Sequence, residues 1–372
     1  MEWKYGYSAF EVDITSFLKP GENRVDVRTV YEEPNSRWYS GAGIYRNVFL
    51  KKRQKDHFVT DGIYLTPIKE ADGTWKVFGD IELSLQEDLT AFSVRQYLLD
   101  NEGNVLAETW AAVNDEDGAA ETGAALLHTT LELQASPALW DIYEGNLYAV
   151  VTELYRGEEL IEQEKERIGF RTLVYDPDYG LLLNGRKMRL NGACEHHDFG
   201  GLGAAYRQAA ARRKLQKLKE MGINAIRTSH NMPAREFMDL ADEMGFLVLS
   251  EAFDMWEMPM TAKDYSRFFL QWYKKDVASW IRRDRNHASV LMWSIGNEIP
   301  DTMHERGTEV TKLLAEEVRK HDYRKHAGVT IGSNYMKWQH PKDGAEYLDC
   351  IGYNYAEFLY EEHHREHPDW VI

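Results

Sequence analysis

Glu298 and Asn297 form a carboxylate–carboxamide pair shortly after an apolar run at residues 290–295. The run, VLMWSI, predicts a buried strand, and Gly296 relaxes the backbone before the pair. Polar groups that follow a buried parallel strand form the reaction site of barrel and open α/β enzymes. The position makes Glu298 a candidate for a reaction site. An isolated Asn-Glu pair is more typical of a solvated turn or a helix cap, so the surrounding pattern decides between the two.

Further polar side chains stand in or at the ends of other predicted strands. Parallel strands end at one edge of their sheet, so these side chains are expected to share one face with Glu298. They are His196, His197, Arg227, His230, Asn231, Glu251 and Tyr355.

Zinc binding is the rival interpretation of the two adjacent histidines, since His196, His197 and Asp198 could ligate a metal. Their spacing matches no helix-borne motif such as H-E-x-x-H. The sequence therefore predicts no metal and no cofactor at this face.

The strands that must position these groups lie in the second half of the chain. After residue 171, short apolar strands alternate with amphipathic helices, which is the pattern of a parallel sheet. One strand leads through residues 188–190, five more are predicted at 225–231, 246–251, 290–295, 329–332 and 350–355, and residues 370–372 begin a seventh. Helices are predicted to about residue 221, from residue 233, over 269–281 and over 310–318. Together they predict an incomplete (β/α)8 TIM barrel over residues 173–372.

The first half of the chain is rich in predicted β-strands. Residues 9–14 and 25–30 alternate polar and apolar side chains around a turn at 19–23, which amounts to about half a β-sandwich. Strands at 62–65, 76–83, 92–99 and 147–154 indicate an immunoglobulin-like β-sandwich over residues 54–172. The chain is therefore expected to be multidomain, with boundaries at 1–53, 54–172 and 173–372.

The residues at 284–298, DRNHASVLMWSIGNE, resemble the acid/base signature of glycoside hydrolase family 2, which contains β-galactosidases, β-glucuronidases and β-mannosidases. CEHHD at 194–198, RTSHN at 227–231 and SEAFDMW at 250–256 also resemble the family. RWYSGAGIYR at 37–46 resembles part of its jelly-roll sugar-binding domain, which implies that residues 1–53 are a partial jelly-roll β-sandwich. The resemblance covers nearly the whole chain in the family's domain order.

This resemblance implies retaining hydrolysis of terminal β-D-galactosides. β-Glucuronidase activity and a non-catalytic sugar-binding fragment are the alternatives. Glu298 would protonate the leaving oxygen and then act as base, and Asn297 would bind the sugar 2-hydroxyl. Tyr355 would hydrogen-bond the nucleophile, and Arg227 would either hold that carboxylate or form a salt bridge inside the barrel. The implied substrate-binding residues are Asn297, His196, His230, His197, Tyr355, Arg227, Asn231 and Glu251.

The sequence departs from the family pattern at three points, and each departure changes what is expected of the site. Arg37 stands where several relatives have an Asp that reaches the active site, so that role is not transferred. Phe253 stands where some galactosidases have a magnesium-binding His, which argues against magnesium. The family's nucleophile, a second Glu, follows the seventh strand and is expected beyond Ile372. The chain is therefore interpreted as truncated at both ends and, taken alone, as inactive.

Composition limits the partners. A formal net charge of −17 argues against nucleic acid and anionic membrane surfaces, which leaves a carbohydrate substrate as the expected partner. No apolar run approaches the length of a membrane span, and residues 1–5 lack a signal region, so a genuine start at Met1 would predict a cytoplasmic protein. A homo-oligomer is kept as an alternative to a monomer. Cys194 and Cys350 are expected to be buried free thiols.

Overall fold

The computed structural model describes residues 1–38, 40–86, 89–114 and 124–372. Tyr39, within the 37–46 segment, lies outside the described residues. In the described part of residues 1–56 the backbone forms one 3-10 turn, Thr15–Phe17, and no β-strand. The strands expected at 9–14 and 25–30 are therefore not formed, since their backbone groups have no neighbouring strand to pair with. The assignment of residues 1–53 to a jelly-roll domain stays a prediction.

Two antiparallel sheets follow and form the predicted sandwich. One sheet has the order β1-β2-β5 and the other has the order β4-β3-β6-β7. Their bounds are β1 His57–Lys69, β2 Trp75–Ser84, β3 Phe92–Leu99, β4 Val105–Ala112, β5 Ala125–Glu132, β6 Tyr148–Arg156 and β7 Glu159–Ile168.

Alternation of side chains explains how these sheets pack. In β3, Phe92, Val94, Gln96 and Leu98 are buried, while the side chains between them are half-buried on the outer face. Because side chains alternate across a strand, this period of two puts one face of the sheet on the core and leaves the other toward solvent. The inner faces of both sheets share one hydrophobic core.

A small antiparallel sheet that the sequence did not predict links the sandwich to the barrel. It has the order β10-β9-β8, with bounds β8 Leu173–Asp176, β9 Gly180–Leu183 and β10 Arg186–Lys187. Asn184 and Gly185 join β9 to β10, with φ of 53° and 74°. A two-residue turn with both central residues at positive φ matches the twist of a hairpin, and Asn-Gly is the sequence that tolerates it. The sheet packs against the first residues of the barrel strands.

Six parallel strands form the open sheet of the incomplete barrel, in the order β11-β12-β13-β14-β15-β16. They are β11 Gly192–Glu195, β12 Ala225–Thr228, β13 Leu247–Glu251, β14 Val290–Asn297, β15 Gly328–Ser333 and β16 Gly352–Tyr353. The helices are α1 Gln208–Glu220, α2 Arg235–Met244, α3 Phe269–Asp284, α4 Glu305–His321, α5 Gln339–Gly344 and α6 Tyr360–Glu366. This confirms the predicted barrel class.

The core of the barrel explains the sequence patterns. All eight residues of β14 are buried, as expected for a central strand covered on both faces. The predicted stripe of α3 is also buried, and it consists of Phe269, Tyr273, Val277, Trp280 and Ile281. The helix predicted from residue 233 begins two residues later, because Ala234 has extended backbone and forms the N-cap.

Two expectations about the ends of the parallel sheet are wrong. Residues 370–372 form no strand, since their pairing to the neighbouring segment is a single hydrogen bond from the Ile351 N–H to the Val371 carbonyl (2.8 Å). Cys194 is exposed rather than buried, because β11 is an edge strand, whereas Cys350 is buried and both thiols are free. None of the described helices is long and apolar enough to cross a bilayer.

Candidate active site

The polar residues singled out from the sequence collect at the carboxyl-terminal edge of the parallel sheet. β11, β12, β13, β14 and β16 end just before or at these residues. Glu251 is the last residue of β13 and Asn297 is the last residue of β14, with Glu298 directly after it. The edge is therefore the place where a parallel α/β fold positions its chemistry.

Glu298 leaves β14 with a left-handed backbone, at φ 51°. Its N–H donates to the Gly332 carbonyl of β15 (2.7 Å), so the reversal is tied to the neighbouring strand. The carboxylate has a side-chain exposure of 13%. One oxygen accepts from Asn354 Nδ2 (3.3 Å) and the other from Arg37 Nη1 (3.1 Å). Glu298 is therefore both held in place and open to solvent.

Asn297 is buried beside it, and protein groups fix its carboxamide. Its Oδ1 accepts from Arg227 Nη2 (2.6 Å) and Asn354 Nδ2 (3.0 Å), and its Nδ2 donates to Asp254 Oδ1 (3.0 Å). The bond from Arg227, a charged donor, determines which end of the amide is oxygen. One Nδ2 hydrogen remains for a further acceptor.

Glu251 lies beneath this pair and is fully buried. It accepts from Arg227 Nε (2.9 Å), His230 Nδ1 (2.5 Å) and Ser294 Oγ (2.7 Å). A buried carboxylate requires such donors, and these three connect β12, β13 and β14. Glu251 therefore positions its neighbours, and its contact with a substrate stays a prediction.

Gly332 in β15 leaves room for the Arg227 guanidinium. A Cβ at this position would lie 2.4 Å from Arg227 Nη2 and 3.2 Å from Asn354 Oδ1. Any larger side chain would push the guanidinium away from Asn297. The glycine is therefore needed for the link between Glu251 and Asn297.

Trp38, His196 and His230 pack together as an aromatic wall, which is joined to the network through the bond from His230 to Glu251. The Trp38 ring lies 5.0 Å from the His196 ring and 5.7 Å from the His230 ring, and the two imidazoles are 5.5 Å apart. Burial, followed by the nearby charge of His230, lowers the pKa of His196, which favours a neutral ring. The wall offers an apolar surface with imidazole nitrogens at its edge.

His197, Asn231 and Tyr355 are not brought into this network. His197 Nε2 donates to the Ala204 carbonyl (3.0 Å), and burial lowers its pKa to about 3. Asn231 is 3% exposed, and its Nδ2 donates to the Ser229 carbonyl (3.4 Å). Tyr355 is 82% exposed at φ 56°, and its hydroxyl has no hydrogen-bond partner among the described residues.

Sequence reasoning missed three residues of the site. Arg37 was set aside because it differs from the family pattern, yet its guanidinium contacts both Glu298 and Asp254. Asp254 lies in a motif that was recognised but received no role, and Asn354 adjoins the candidate Tyr355. The signal for Arg37 was its position in the segment where relatives reach into the active site.

Metal binding receives no support from the geometry. Within the parts of the chain that the structure describes, no three His, Cys, Asp or Glu side chains are arranged to hold a metal ion. Phe253 is fully buried against Tyr5, Tyr265 and Phe269.

Comparison with known families gives one match to the sandwich and one to the barrel. The family model described as "Glycosyl hydrolases family 2, TIM barrel domain" matches residues 177–368, and the one described as "Glycosyl hydrolases family 2" matches residues 57–171. The barrel match alone covers more than half of the 372 residues.

Similar proteins carry names from this family. Beta-galactosidase BoGH2A of Bacteroides ovatus is 45% identical over 301 residues, which is 79% of this chain and 34% of its own length. A putative beta-glucuronidase of Formosa agariphila is 38% identical over 301 residues, 79% of this chain and 27% of its own length. The match thus spans between about a quarter and a third of the length of these curated relatives.

A solved structure matches the whole architecture. The glycosyl hydrolase family 2 member from Bacteroides cellulosilyticus superposes with a TM-score of 0.89 at 35% identity. The match covers 98% of this chain and 46% of that chain. With the fold, the strand-end carboxylate and both family models in agreement, this chain belongs to glycosyl hydrolase family 2.

Proposed function

We propose that this chain carries the acid/base half of a retaining glycosidase site that acts on terminal β-D-galactosides. The observation that supports this most directly is the geometry of Glu298, a partly open carboxylate at the carboxyl edge of a parallel sheet. In a retaining reaction such a residue protonates the leaving oxygen in the first step. It then removes a proton from water in the second step.

The aromatic wall supplies the sugar-binding surface in this proposal. His230 Nδ1 is occupied by Glu251, so its Nε2 is directed to a hydroxyl. His196 and the Trp38 ring stand next to it, and an aromatic face suits the apolar C–H side of a pyranose. Asn297 donates its remaining Nδ2 hydrogen to the sugar 2-hydroxyl. Tyr355 forms a hydrogen bond to the nucleophile carboxylate.

The charges of the site favour a neutral sugar over a glucuronide. A glucuronide carboxylate needs a cation to compensate its burial. The two guanidinium groups of the described network are already paired, Arg37 with Asp254 and Glu298, and Arg227 with Glu251. The name of BoGH2A agrees with this preference, whereas the glucuronidase names of other relatives keep the second substrate class as the alternative.

The attacking carboxylate is proposed to lie outside residues 1–372. Retaining enzymes place the two carboxyl groups about 5–5.5 Å apart. The other carboxylates bonded into the described network, Glu251 and Asp254, are at most 1% exposed and are held by arginines. Neither is open to an anomeric carbon, so the 372-residue chain taken alone is expected to bind sugar without turning it over.

The proposal is tested in a catalytically active protein that contains this sequence. Glu298→Gln removes the transferable proton, so kcat/KM on an alkyl β-galactoside should fall roughly 10²–10⁴-fold. A 2,4-dinitrophenyl β-galactoside, whose leaving group needs little protonation, should lose far less. Equal losses on both substrates would remove Glu298 from the acid role, and faster turnover of the matching β-glucuronide would replace the galactoside assignment.

The 372-residue chain itself provides the complementary measurement. It is assayed beside a form extended past an eighth barrel strand, with galactose binding followed by calorimetry. Comparable turnover by both forms would mean that the nucleophile lies within residues 1–372.

A further inference from the structure

Arg37 reaches the site from outside both the sandwich and the barrel. Its guanidinium donates from Nε to Asp254 Oδ2 (2.8 Å), from Nη2 to Asp254 Oδ1, and from Nη1 to Glu298 Oε2 (3.1 Å). Two parallel bonds to one carboxylate fix the plane of a guanidinium. The single remaining contact therefore points at Glu298 from a fixed direction.

Asp254 anchors this arrangement from below. It follows β13, is 1% exposed, and also accepts from Asn297 Nδ2 (3.0 Å). The Asp254 carboxylate thus orients both the Arg37 guanidinium, which contacts Glu298, and the Asn297 carboxamide, which precedes Glu298 in the chain. Its negative charge also balances the guanidinium whether Glu298 is ionised or protonated.

The segment that carries Arg37 is fastened to the barrel at several points. Tyr5 is 5% exposed and donates to the Ala252 carbonyl. Arg46 donates to the carbonyls of Tyr7 (2.7 Å) and Met232 (2.7 Å). Trp38, the next residue after Arg37, packs on both imidazoles of the aromatic wall. Arg37 is therefore held as a fixed part of the site.

We propose that Arg37, locked by Asp254, is a positioning residue that holds the Glu298 carboxyl group in its proton-transfer position. This inference rests on the proposed function. An acid/base residue must occupy one place in both half-reactions, as an acid and then as a base. A single N–H bond from a charge-balanced guanidinium holds Oε2 of the ionised form, while Oε1, which accepts only the longer bond from Asn354 Nδ2 (3.3 Å), exchanges the proton. The acid/base machinery is then shared between residues 1–56 and the barrel.

The rival role for Arg37 is recognition of a negative charge on the substrate. Its side chain is 33% exposed, which is enough to be touched by a ligand. Its three donor nitrogens are all engaged with protein carboxylates, which argues for positioning instead. The two roles differ in whether the effect of Arg37 passes through Glu298.

The test is a double-mutant cycle in the catalytically active protein that contains this sequence. Arg37→Met and Arg37→Lys are combined with Glu298→Gln, and kcat/KM is measured on an alkyl and a 2,4-dinitrophenyl β-galactoside. Arg37→Met should cost roughly 10–10²-fold more on the alkyl substrate, because misplacing a reacting group by about 1 Å has this size of effect. Arg37→Lys should retain part of the activity. In the Glu298→Gln background the Arg37 effect should largely disappear, since residues that act as a unit are not additive.

Arg24 offers a matched control from the same segment. It pairs with Asp26 (2.8 Å) and is 84% exposed, so Arg24→Met should leave kcat/KM unchanged on both substrates. Thermal unfolding of each variant shows whether it is folded, and Arg37→Lys retains a charge for Asp254 should Arg37→Met unfold.

Three results would overturn the inference. One is an equal loss by Arg37→Met on both substrates, another is full additivity with Glu298→Gln, and the third is a loss confined to β-glucuronides. The proposed function fails separately, because it depends on the response of Glu298→Gln alone to the leaving group.

Discussion

Two buried carboxylates, Glu251 in the barrel and Glu153 in the sandwich, are each satisfied by several hydrogen-bond donors that include one arginine. Glu153 is 5% exposed in β6 and accepts from Gln163 (2.7 Å), Tyr155 (2.9 Å), Tyr97 (3.2 Å) and Arg95 (3.3 Å). Glu251 is fully buried in β13 and accepts from an arginine, a histidine and a serine. Each carboxylate joins neighbouring strands through an arginine and uncharged or imidazole donors.

The two carboxylates differ in the second contact that their arginine donors make. Arg95 continues to Glu108 (2.8 Å) on the outer face of an antiparallel sheet, where the network ends in solvent. Arg227 continues to Asn297, at the end of β14 and next to a second, partly open carboxylate. A satisfied buried carboxylate is therefore structural by itself. It supports a reaction only where its donors lead to the converging ends of parallel strands.

Replacing each carboxylate by its amide should give the largest difference between Glu251, which supports the reaction site, and Glu153, which only stabilises the sandwich. Glu251→Gln leaves Arg227 without its charge partner and frees His230, so kcat/KM should fall by at least about 10²-fold. Unfolding free energy should fall by about 3–5 kcal/mol, as for a broken buried ion pair. Glu153→Gln should cost about 1–2 kcal/mol with unchanged kcat/KM, because Arg95 keeps Glu108. Denaturant titration and steady-state kinetics measure both, and an activity loss in Glu153→Gln would contradict the comparison.

Two glycines provide the next contrast. Gly332→Ala places a methyl group against Arg227 and should lower kcat/KM by about 10-fold. In the sandwich, a Cβ at Gly79 would lie 2.3 Å from Thr129 Oγ1 and 3.0 Å from Gln96 Oε1. Gly79→Ala should therefore cost about 1–3 kcal/mol of stability through overpacking and leave turnover intact. Equal activity in the two variants would show that Arg227 does not fix Asn297.

Lowering the pH should produce the smallest of these effects, a loss of the stability that Glu153 contributes to the sandwich. Burial by itself would raise the pKa of Glu153, but hydrogen bonds from Gln163, Tyr155 and Tyr97 and the charge of Arg95 bring it below the usual glutamate range. A depressed pKa gives stability that is present above the unfolded value of about 4.3 and is lost as pH falls through the folded value. The difference in unfolding free energy between the parent and Glu153→Gln, about 1–2 kcal/mol near pH 7, should shrink below about pH 4. Urea titrations from pH 7 to pH 3 measure it, and a constant difference would contradict the assignment.

The same contrast explains what the sequence could predict. Glu298 and Asn297 could be proposed from the sequence because the buried strand, the residues after it and the family-like motif at 284–298 are contiguous in the chain. Arg37 contacts Glu298 across 261 positions, and no local pattern encodes that contact. His196 and His197 are neighbours in one motif, yet only the first joins the aromatic wall, because the second is packed against the loop that follows it. Local periodicity gives the edge of the sheet, whereas the direction of each side chain depends on packing between distant segments.

The left-handed backbone at Glu298 and Tyr355, with φ of 51° and 56°, has a consequence for engineering this fold. A side chain with a Cβ at such a position costs about 1–2 kcal/mol that glycine would not. A stabilisation campaign that ranks substitutions by backbone compatibility will therefore favour glycine at both positions and delete the proposed proton donor in the process. Any such library built on this scaffold should hold these two residues fixed and look for heat tolerance elsewhere in the chain.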